Sequence, residues 1–341
     1  MSPSHIRSRL DQWEGSSTME IVTKKRMQIF SGRNFPELAG EVADHLGMRL
    51  GDVDLHEFSN GEIYVRYREN IRGSDVFVVQ SHCHPVNRAI MEQLIMIDAA
   101  KRASAKRIIA VVPFYGYARQ DKKARSREAI SARLLADMLT TAGADRVVSV
   151  DLHTGQIQGF FDRPLDHLTA LPLLVGWIID HFGDSELVIA SPDAGRVRLA
   201  EKFQSRLPNA SIAFLAKTRT AHNVAKTLAV VGKVRGLTCV LVDDMIDTAG
   251  TICGAAEALM KRGAKEVVAV ATHPLLSGPA CERLAASPIS RVVVTNTLPL
   301  PVAAAKDPKF ECVSIAPIIA STMRAIFEDE SVSELFDDQN Q

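Results

Sequence analysis

The sequence predicts an α/β protein of two halves, each a mainly parallel sheet flanked by helices. Three observations carry this. Short β-branched runs alternate with longer amphipathic ones, the short runs are continuously apolar, and small polar segments follow directly on several of them. Continuously apolar strands separated by helices belong to parallel sheets covered on both faces. Ligands of such sheets gather beyond the C-terminal strand ends, where the polar segments fall. A length of 341 residues suits two domains better than one core.

Met27 opens the first strand pattern. The polar stretch before it, residues 1–26, carries Arg7 and Arg9 but also Asp11, Glu14 and Glu20, and has no apolar signal core. It is expected to be a disordered tail or an over-long start. Residues 76–80 form the next apolar strand, followed by an amphipathic helix at 87–102. A strand at 107–112, a helix at 130–141 closed by Gly143, and a strand at 147–150 complete the first half. The proline-bearing stretch 164–172 is the expected junction. It gives one domain over 27–168, a second over 169–328, and a C-terminal tail over 329–341. In the second half, residues 187–190, 212–215, 238–242, 267–271 and 292–295 read as strands, and Gly263 stands where a helix C-cap belongs.

Composition narrows the function. Lys plus Arg equals Asp plus Glu at 40 each, which lacks the basic excess of a nucleic-acid or membrane-surface binder. Five scattered cysteines without a CxxC pair fit a reduced, cytoplasmic protein rather than a disulfide framework or zinc site. No apolar run is long enough to span a bilayer. A GxxxxGK[ST] loop is absent, which disfavours a P-loop kinase.

The most informative segment is VLVDDMIDTAGT, residues 240–251. An apolar strand stops at two carboxylates, Asp243 and Asp244. A small-residue turn follows (Asp247, Thr248, Ala249, Gly250, Thr251), and then a helix begins. Small residues let backbone N–H groups approach an anion, and the helix N-terminus adds positive potential. The two carboxylates cannot bind phosphate, but they can accept hydrogen bonds from a vicinal diol. Together they fit a ribose 5-phosphate group.

Five further segments follow strands or turns. Asp151-Leu152-His153 can hold a divalent ion or phosphate, and opens the specific string DLHTGQIQGFFDRPLD. In Ser191-Pro192-Asp193-Ala194-Gly195-Arg196, Asp193 could bind Mg²⁺ and Gly195 would admit a pyrophosphate to the backbone. Residues 117–127 hold five cations with Gln120, either a solvated face or a loop that neutralises a triphosphate. Lys217 and Arg219, past a strand end, suit a transferring phosphoryl group or form a surface pair. Phe58-Ser59-Asn60-Gly61-Glu62 reads as a turn whose Phe58 stacks on a base or anchors the turn.

Together these segments resemble the ribose-phosphate pyrophosphokinase (phosphoribosyl pyrophosphate synthetase) family over residues 27–336. DLHTGQIQGFFDRPLD resembles the family signature, VLVDDMIDTAGT its ribose-phosphate loop, and YGYARQDKKARSRE its ATP-site segment. The segments THPLLSGPA and VVTNT are family-like too. The likeness is to the bacterial, phosphate-activated class. It implies two type I phosphoribosyltransferase-like domains and transfer of the ATP diphosphoryl group to the C1 hydroxyl of ribose 5-phosphate, giving 5-phosphoribosyl 1-diphosphate and AMP. Asp243 and Asp244 would hold the ribose hydroxyls, and Asp247 to Thr251 would cradle the phosphate. His153 and Asp193 would serve Mg²⁺ and the ATP phosphates. Arg119 and Gln120 would contact ATP, with Phe58, Asn60 and Glu62 completing the adenine pocket from a neighbouring subunit. Lys217 and Arg219 would stabilise the transferring group. A homo-oligomer, commonly a hexamer, activated by phosphate and inhibited by ADP, is also implied.

The sequence departs from the family pattern at Arg196, which replaces the second glycine of the pyrophosphate loop, and at Thr154, Ala129 and Ala216. Either Arg196 binds phosphate, or Arg198 does, or the loop is reshaped. Two competing readings are a phosphoribosyltransferase that consumes the diphosphate donor and a catalytically silent homologue that regulates active subunits. The first leaves the DLH string and the RQDKK segment unexplained. Intact His153, Lys217 and Arg219 argue against the second.

Overall fold

The computed structural model describes residues 25–218 and 227–333, with backbone alone at 217–218 and 227–228. The first half runs β1 (Met27–Ser31), α1 (Pro36–His45), β2 (Val53–Glu57), β3 (Ile63–Tyr67), β4 (Asp75–Val79), α2 (Val86–Arg102), β5 (Arg107–Val112), α3 (Ser131–Ala142), β6 (Arg146–Val150) and β7 (Leu165–Leu168). Its main sheet has the order β1-β4-β5-β6-β7, every pair parallel. All five residues of β4 are buried, as a continuous Val/Phe run covered on both faces requires. β2 and β3 stand apart as an antiparallel hairpin, register Val53↔Tyr67 to Glu57↔Ile63. Only its turn was legible in the sequence.

The second half runs α4 (Leu171–Phe182), β8 (Leu187–Ser191), α5 (Val197–Gln204), β9 (Ala210–Thr218), β10 (Thr227–Val231), β11 (Thr238–Ile246), α6 (Gly250–Lys261), β12 (Glu266–Pro274), α7 (Ala280–Ala286), β13 (Arg291–Thr295), α8 (Val302–Lys306), β14 (Phe310–Val313) and α9 (Ala316–Glu328). Its sheet has the order β10-β9-β8-β11-β12-β13-β14, parallel except for the edge strand β10 against β9. The chain is thus α/β, two mainly parallel sheets flanked by helices. Gly143 and Gly263 close α3 and α6 with positive φ of 123° and 89°, the conformation a glycine adopts without strain.

The halves are not separately packed. One buried cluster joins Ile29, Leu38, Phe77 and Ile109 of the first half to Ile189, Val240, Ile319 and Met323 of the second. Lys25 and Arg26, expected within the N-terminal tail, are held in place. Arg26 Nε donates to Ser74 Oγ at 2.6 Å, and Lys25 Nζ pairs with Asp329 at 2.6 Å. The proline-bearing stretch is no open linker either, since β7 pairs with β6 inside it.

Candidate active site

β8 is a switch point. The chain leaves it outward to β9, then returns to place β11 on its other side. Neighbouring strands whose connections depart in opposite directions open a crevice at their C-terminal ends. The register makes this concrete. Leu187–Ala190 pairs with the start of β11, after which β8 stops at Ser191 while β11 continues to Ile246 beside β12 alone. Asp243 and Asp244 sit on that overhang.

The turn after β11 meets the crevice from below. Ala249 is the N-cap of α6 and is left-handed, φ 61° and ψ 1°. A side chain there is strained, and alanine is the smallest that bears one. Among the described residues no acceptor is bonded to the N–H groups of residues 248–251. These are the orphan donors of a helix start, which favour an anion. Two braces hold the turn: Arg283 donates to Thr248 O at 2.9 Å, and Ser277 N to Asp247 O at 2.9 Å. Arg119 pairs with Asp247 at 2.6 Å. Burial works against the Asp247 charge, but bonds from Ser277 and Arg119 hold its carboxyl below the usual range.

A cleft of ≈ 260 Å³ is lined by this turn together with Arg119, His153, Asp193, Arg196, Asp243 and Asp244. Arg196 lines it beside both carboxylates. Its Nε is 3.2 Å from Asp243 Oδ1, and its NH2 is 2.8 Å from Asp244 Oδ1. His153 Nδ1 lies 2.7 Å from Asp244 Oδ2 and 2.8 Å from Arg196 NH2. That nitrogen cannot give a proton to one and accept from the other. Directing Nδ1–H to Asp244 Oδ2 satisfies that oxygen and leaves Nε2 with its lone pair, whereas the buried Asp244 Oδ1 has the Arg196 charge beside it but no hydrogen-bond donor among the described residues. Burial, then the adjoining Asp244, pushes Asp243 well above the usual carboxylate range. Burial opposes the Asp244 charge too, but the bond from His153, with Asp243 and Arg196 beside it, holds Asp244 below that range.

Asp193 caps the 3-10 turn of residues 194–196, accepting from Gly195 N through Oδ1 at 2.9 Å. A Cβ at Gly195 would stand 3.2 Å from that same oxygen, so the turn is tight. Gln120 lines an adjoining pocket of ≈ 350 Å³ with Asn87, Phe114, Tyr117 and Leu275, and Arg119 and Met245 line both hollows. Phe58 and Glu62 are not brought to the cleft. They sit at the β2–β3 hairpin tip, over a separate open hollow with Arg88 and Met91, and Asn60 Oδ1 accepts from Glu62 N within the same tip. Lys217 lies on β9 opposite Leu228. Its side chain, and Arg219 altogether, lie outside the described residues.

Several supporting contacts were not legible in the sequence, including those of Asp151, which the DLH string marks. Asp121 is buried and accepts from Thr154 Oγ1 at 2.6 Å and Gln156 Nε2 at 2.7 Å, tying the basic segment to the DLH string. Asp151 accepts from Thr272 Oγ1 at 2.6 Å, and its carbonyl meets His273 Nε2 at 3.0 Å. Thr272 and His273 lie more than a hundred residues from Asp151, and Arg283 reaches the turn from another helix. No local pattern announces such contacts.

Fold and cleft define an α/β protein whose helix start, at a sheet switch point, offers a site suited to an anion. Residues 27–143 match the N-terminal domain of ribose phosphate pyrophosphokinase, and residues 201–337 match the phosphoribosyl synthetase-associated domain. A ribose-phosphate pyrophosphokinase of Streptomyces avermitilis is 56% identical over 318 residues, covering 93% of this chain and 98% of the relative. One of Mycobacterium leprae is 56% identical over 316 residues, covering 92% and 96%. The crystal structure of phosphoribosylpyrophosphate synthetase from Mycobacterium smegmatis superposes with a TM-score of 0.85 at 54% identity, covering 89% of this chain and 100% of that one. The chain belongs to the ribose-phosphate pyrophosphokinase family. It is an enzyme, a transferase of nucleotide biosynthesis that serves phosphoribosyl pyrophosphate synthesis.

Proposed function

We propose that the protein transfers the diphosphoryl group of ATP to the C1 hydroxyl of ribose 5-phosphate, giving 5-phosphoribosyl 1-diphosphate and AMP. One observation carries this reading. A single cleft joins helix-start N–H donors, without an acceptor among the described residues, to two carboxylates, an imidazole and Asp193. The N–H groups of residues 248–251 take the 5-phosphate, and Asp243 and Asp244 take the sugar hydroxyls. Arg119 and Gln120 line the groove that leads on from the cleft and hold the nucleotide there. The C1 oxygen forms a bond to the β-phosphorus as the bond to the α-phosphate oxygen breaks and AMP departs. Such transfers depend on positioning and charge neutralisation, for which Lys217 and Arg219 supply the cations.

The donor set suits Mg²⁺. Among the described residues no cluster of three His, Cys, Asp or Glu forms a metal cage. Mg²⁺ commonly uses one or two protein groups plus substrate phosphates and water. Asp193, whose Oδ2 has no bond among the described residues, and His153, through Nε2, would hold it with the ATP phosphates. When bound it neutralises phosphate charge. Asp244 meanwhile orients the imidazole of His153, as carboxylates behind ligand histidines do.

The surrounding assignments follow the same family likeness. The domains are taken as 27–168 and 169–328. Phe58, Asn60 and Glu62, remote from the cleft of their own chain, serve the nucleotide of a neighbouring copy. The assembly is a homohexamer of the cytoplasm, with phosphate activating and ADP inhibiting. No helix among the described residues is long and apolar enough to cross a membrane. The test is AMP release from ATP with and without ribose 5-phosphate. AMP that appears only with the sugar supports the assignment. Binding of both substrates without turnover, or sugar-independent AMP, rejects it.

A further inference from the structure

We propose that Arg196 is a positioning residue that occupies the sugar-binding carboxylates until the sugar displaces it. The inference rests on the reading of Asp243 and Asp244 as the acceptors of the ribose hydroxyls. Its own observation is the guanidinium fork, 3.2 Å from Asp243 Oδ1 and 2.8 Å from Asp244 Oδ1, with NH1 also 3.3 Å from the carbonyl of His153. Asp243 and Asp244 retain side-chain exposures of 17% and 8%, and Arg196 21%. Arg196 thus covers the Oδ1 atoms of both carboxylates, and Asp243 Oδ1 also accepts from Asp244 N at 2.8 Å. A diol can therefore reach both Oδ1 atoms only if the guanidinium moves.

The neighbouring geometry allows that movement. Arg196 lies between a three-residue 3-10 turn and α5, directly after Gly195. Its backbone need not shift for the side chain to swing from the carboxylates toward Asp193, which lines the same cleft. There the guanidinium would face the nucleotide phosphates, for which its planar fork is suited. The sugar thus exchanges two ion-pair contacts for hydroxyl hydrogen bonds, one of which can satisfy the partnerless Asp244 Oδ1, and releases a cation toward the incoming anion. A glycine at this position could do neither.

The experiment compares ribose 5-phosphate with methyl phosphate, a monoester that lacks the diol, by calorimetric titration of the full-length protein. The ratio of the two dissociation constants isolates what the hydroxyls contribute and cancels the effect of Arg196 on the phosphate charge. In Arg196→Ala the ratio should favour the sugar by about tenfold more than in the wild type, the scale of one partly buried ion-pair contact no longer broken. Arg196→Lys, which keeps the charge and loses the fork, should fall between. In steady state Arg196→Ala should show a lower KM for the sugar together with a lower kcat, a split that mere loosening of the loop does not give. Thermal melts confirm that both variants fold. If wild type and Arg196→Ala prefer the sugar by the same factor, the latch is wrong and the sugar site stands. If neither protein prefers ribose 5-phosphate to methyl phosphate, the sugar site itself is wrong, and the latch with it.

Discussion

His82 is fully buried, and its bonds fix it neutral. The N–H of Gly116 can only donate, so Nδ1 accepts it at 3.0 Å, and Nε2 gives its proton to Gln93 Oε1 at 2.9 Å. Protonating Nδ1 would set two donors against each other. Burial pushes His82 down to about 4, against about 6.5 in an unfolded chain. Between those values the unfolded state binds a proton that the native state refuses. Stability from this group is therefore complete above about pH 6.5 and lost as pH falls toward 4, by about 3 kcal/mol at 1.36 kcal/mol per unit. Urea titrations from pH 7 to 4.5 should show the decline, and His82→Gln should flatten part of it. An identical pH slope in the variant would remove His82 as a cause. At the chemical end, Lys217→Ala should lower turnover by about 10²-fold or more, with far-UV spectra unchanged; near-normal turnover would deny Lys217 its role. Residue types legible in the sequence were those inside contiguous strings, such as Asp243 to Thr251. Arg196 was visible as an oddity, but its partners His153, Asp243 and Asp244 come from two other strand ends. Only folding reveals what it touches.

At the scale of elements, the unit that matters is β11, its turn and α6. The strand is buried from Thr238 to Val242 because both faces of the sheet are covered, and it ends in carboxylates because the overhang past β8 is open to the crevice. The turn then needs a left-handed residue to direct the helix start into the cleft. Ala249, buried and at φ 61°, provides it. Ala249→Val puts a β-branched side chain in the same conformation and should destabilise by about 1–2 kcal/mol. It should also weaken ribose 5-phosphate more than ATP, since only the turn is re-aimed. Denaturant melts and titrations with each ligand decide it, and equal weakening of both would separate the turn from the sugar. Central strands such as β4, β5 and β11 were legible because burial on both faces leaves an unbroken apolar run. β2 and β3 were not. They form a half-exposed hairpin whose Asp54, His56, Tyr64 and Arg66 interrupt any such run. β10, an antiparallel edge strand, runs on to β11 with no helix between them.

For the whole molecule, the two halves read in sequence as separate βα series, yet they fold around a shared interior. α1 and α9 contribute to one core although nearly three hundred residues separate them, a contact that periodicity cannot disclose. A charged tie runs along the same seam. Arg107, at the start of β5, pairs with Asp75 at the start of β4 and with Asp329 beyond α9 at 2.7 Å. Asp75 is 1% exposed, whereas Asp329 has 62% of its side chain in solvent. The two pairs should therefore respond differently. Arg107→Ala strands a buried carboxylate and should cost about 3–5 kcal/mol. Asp329→Asn, in screening solvent, should leave the denaturation midpoint within error of the wild type. If the shared core binds the halves into one cooperative unit, Arg107→Ala will lower the urea midpoint in a single transition with an unchanged slope. Two resolved transitions, one of them unmoved by the substitution, would mean that the halves unfold independently and that the seam only joins finished domains. A cleft lined from both halves, by Arg119 and His153 on one side and the Asp247 turn on the other, depends on the first outcome, because its geometry is set by how the halves meet.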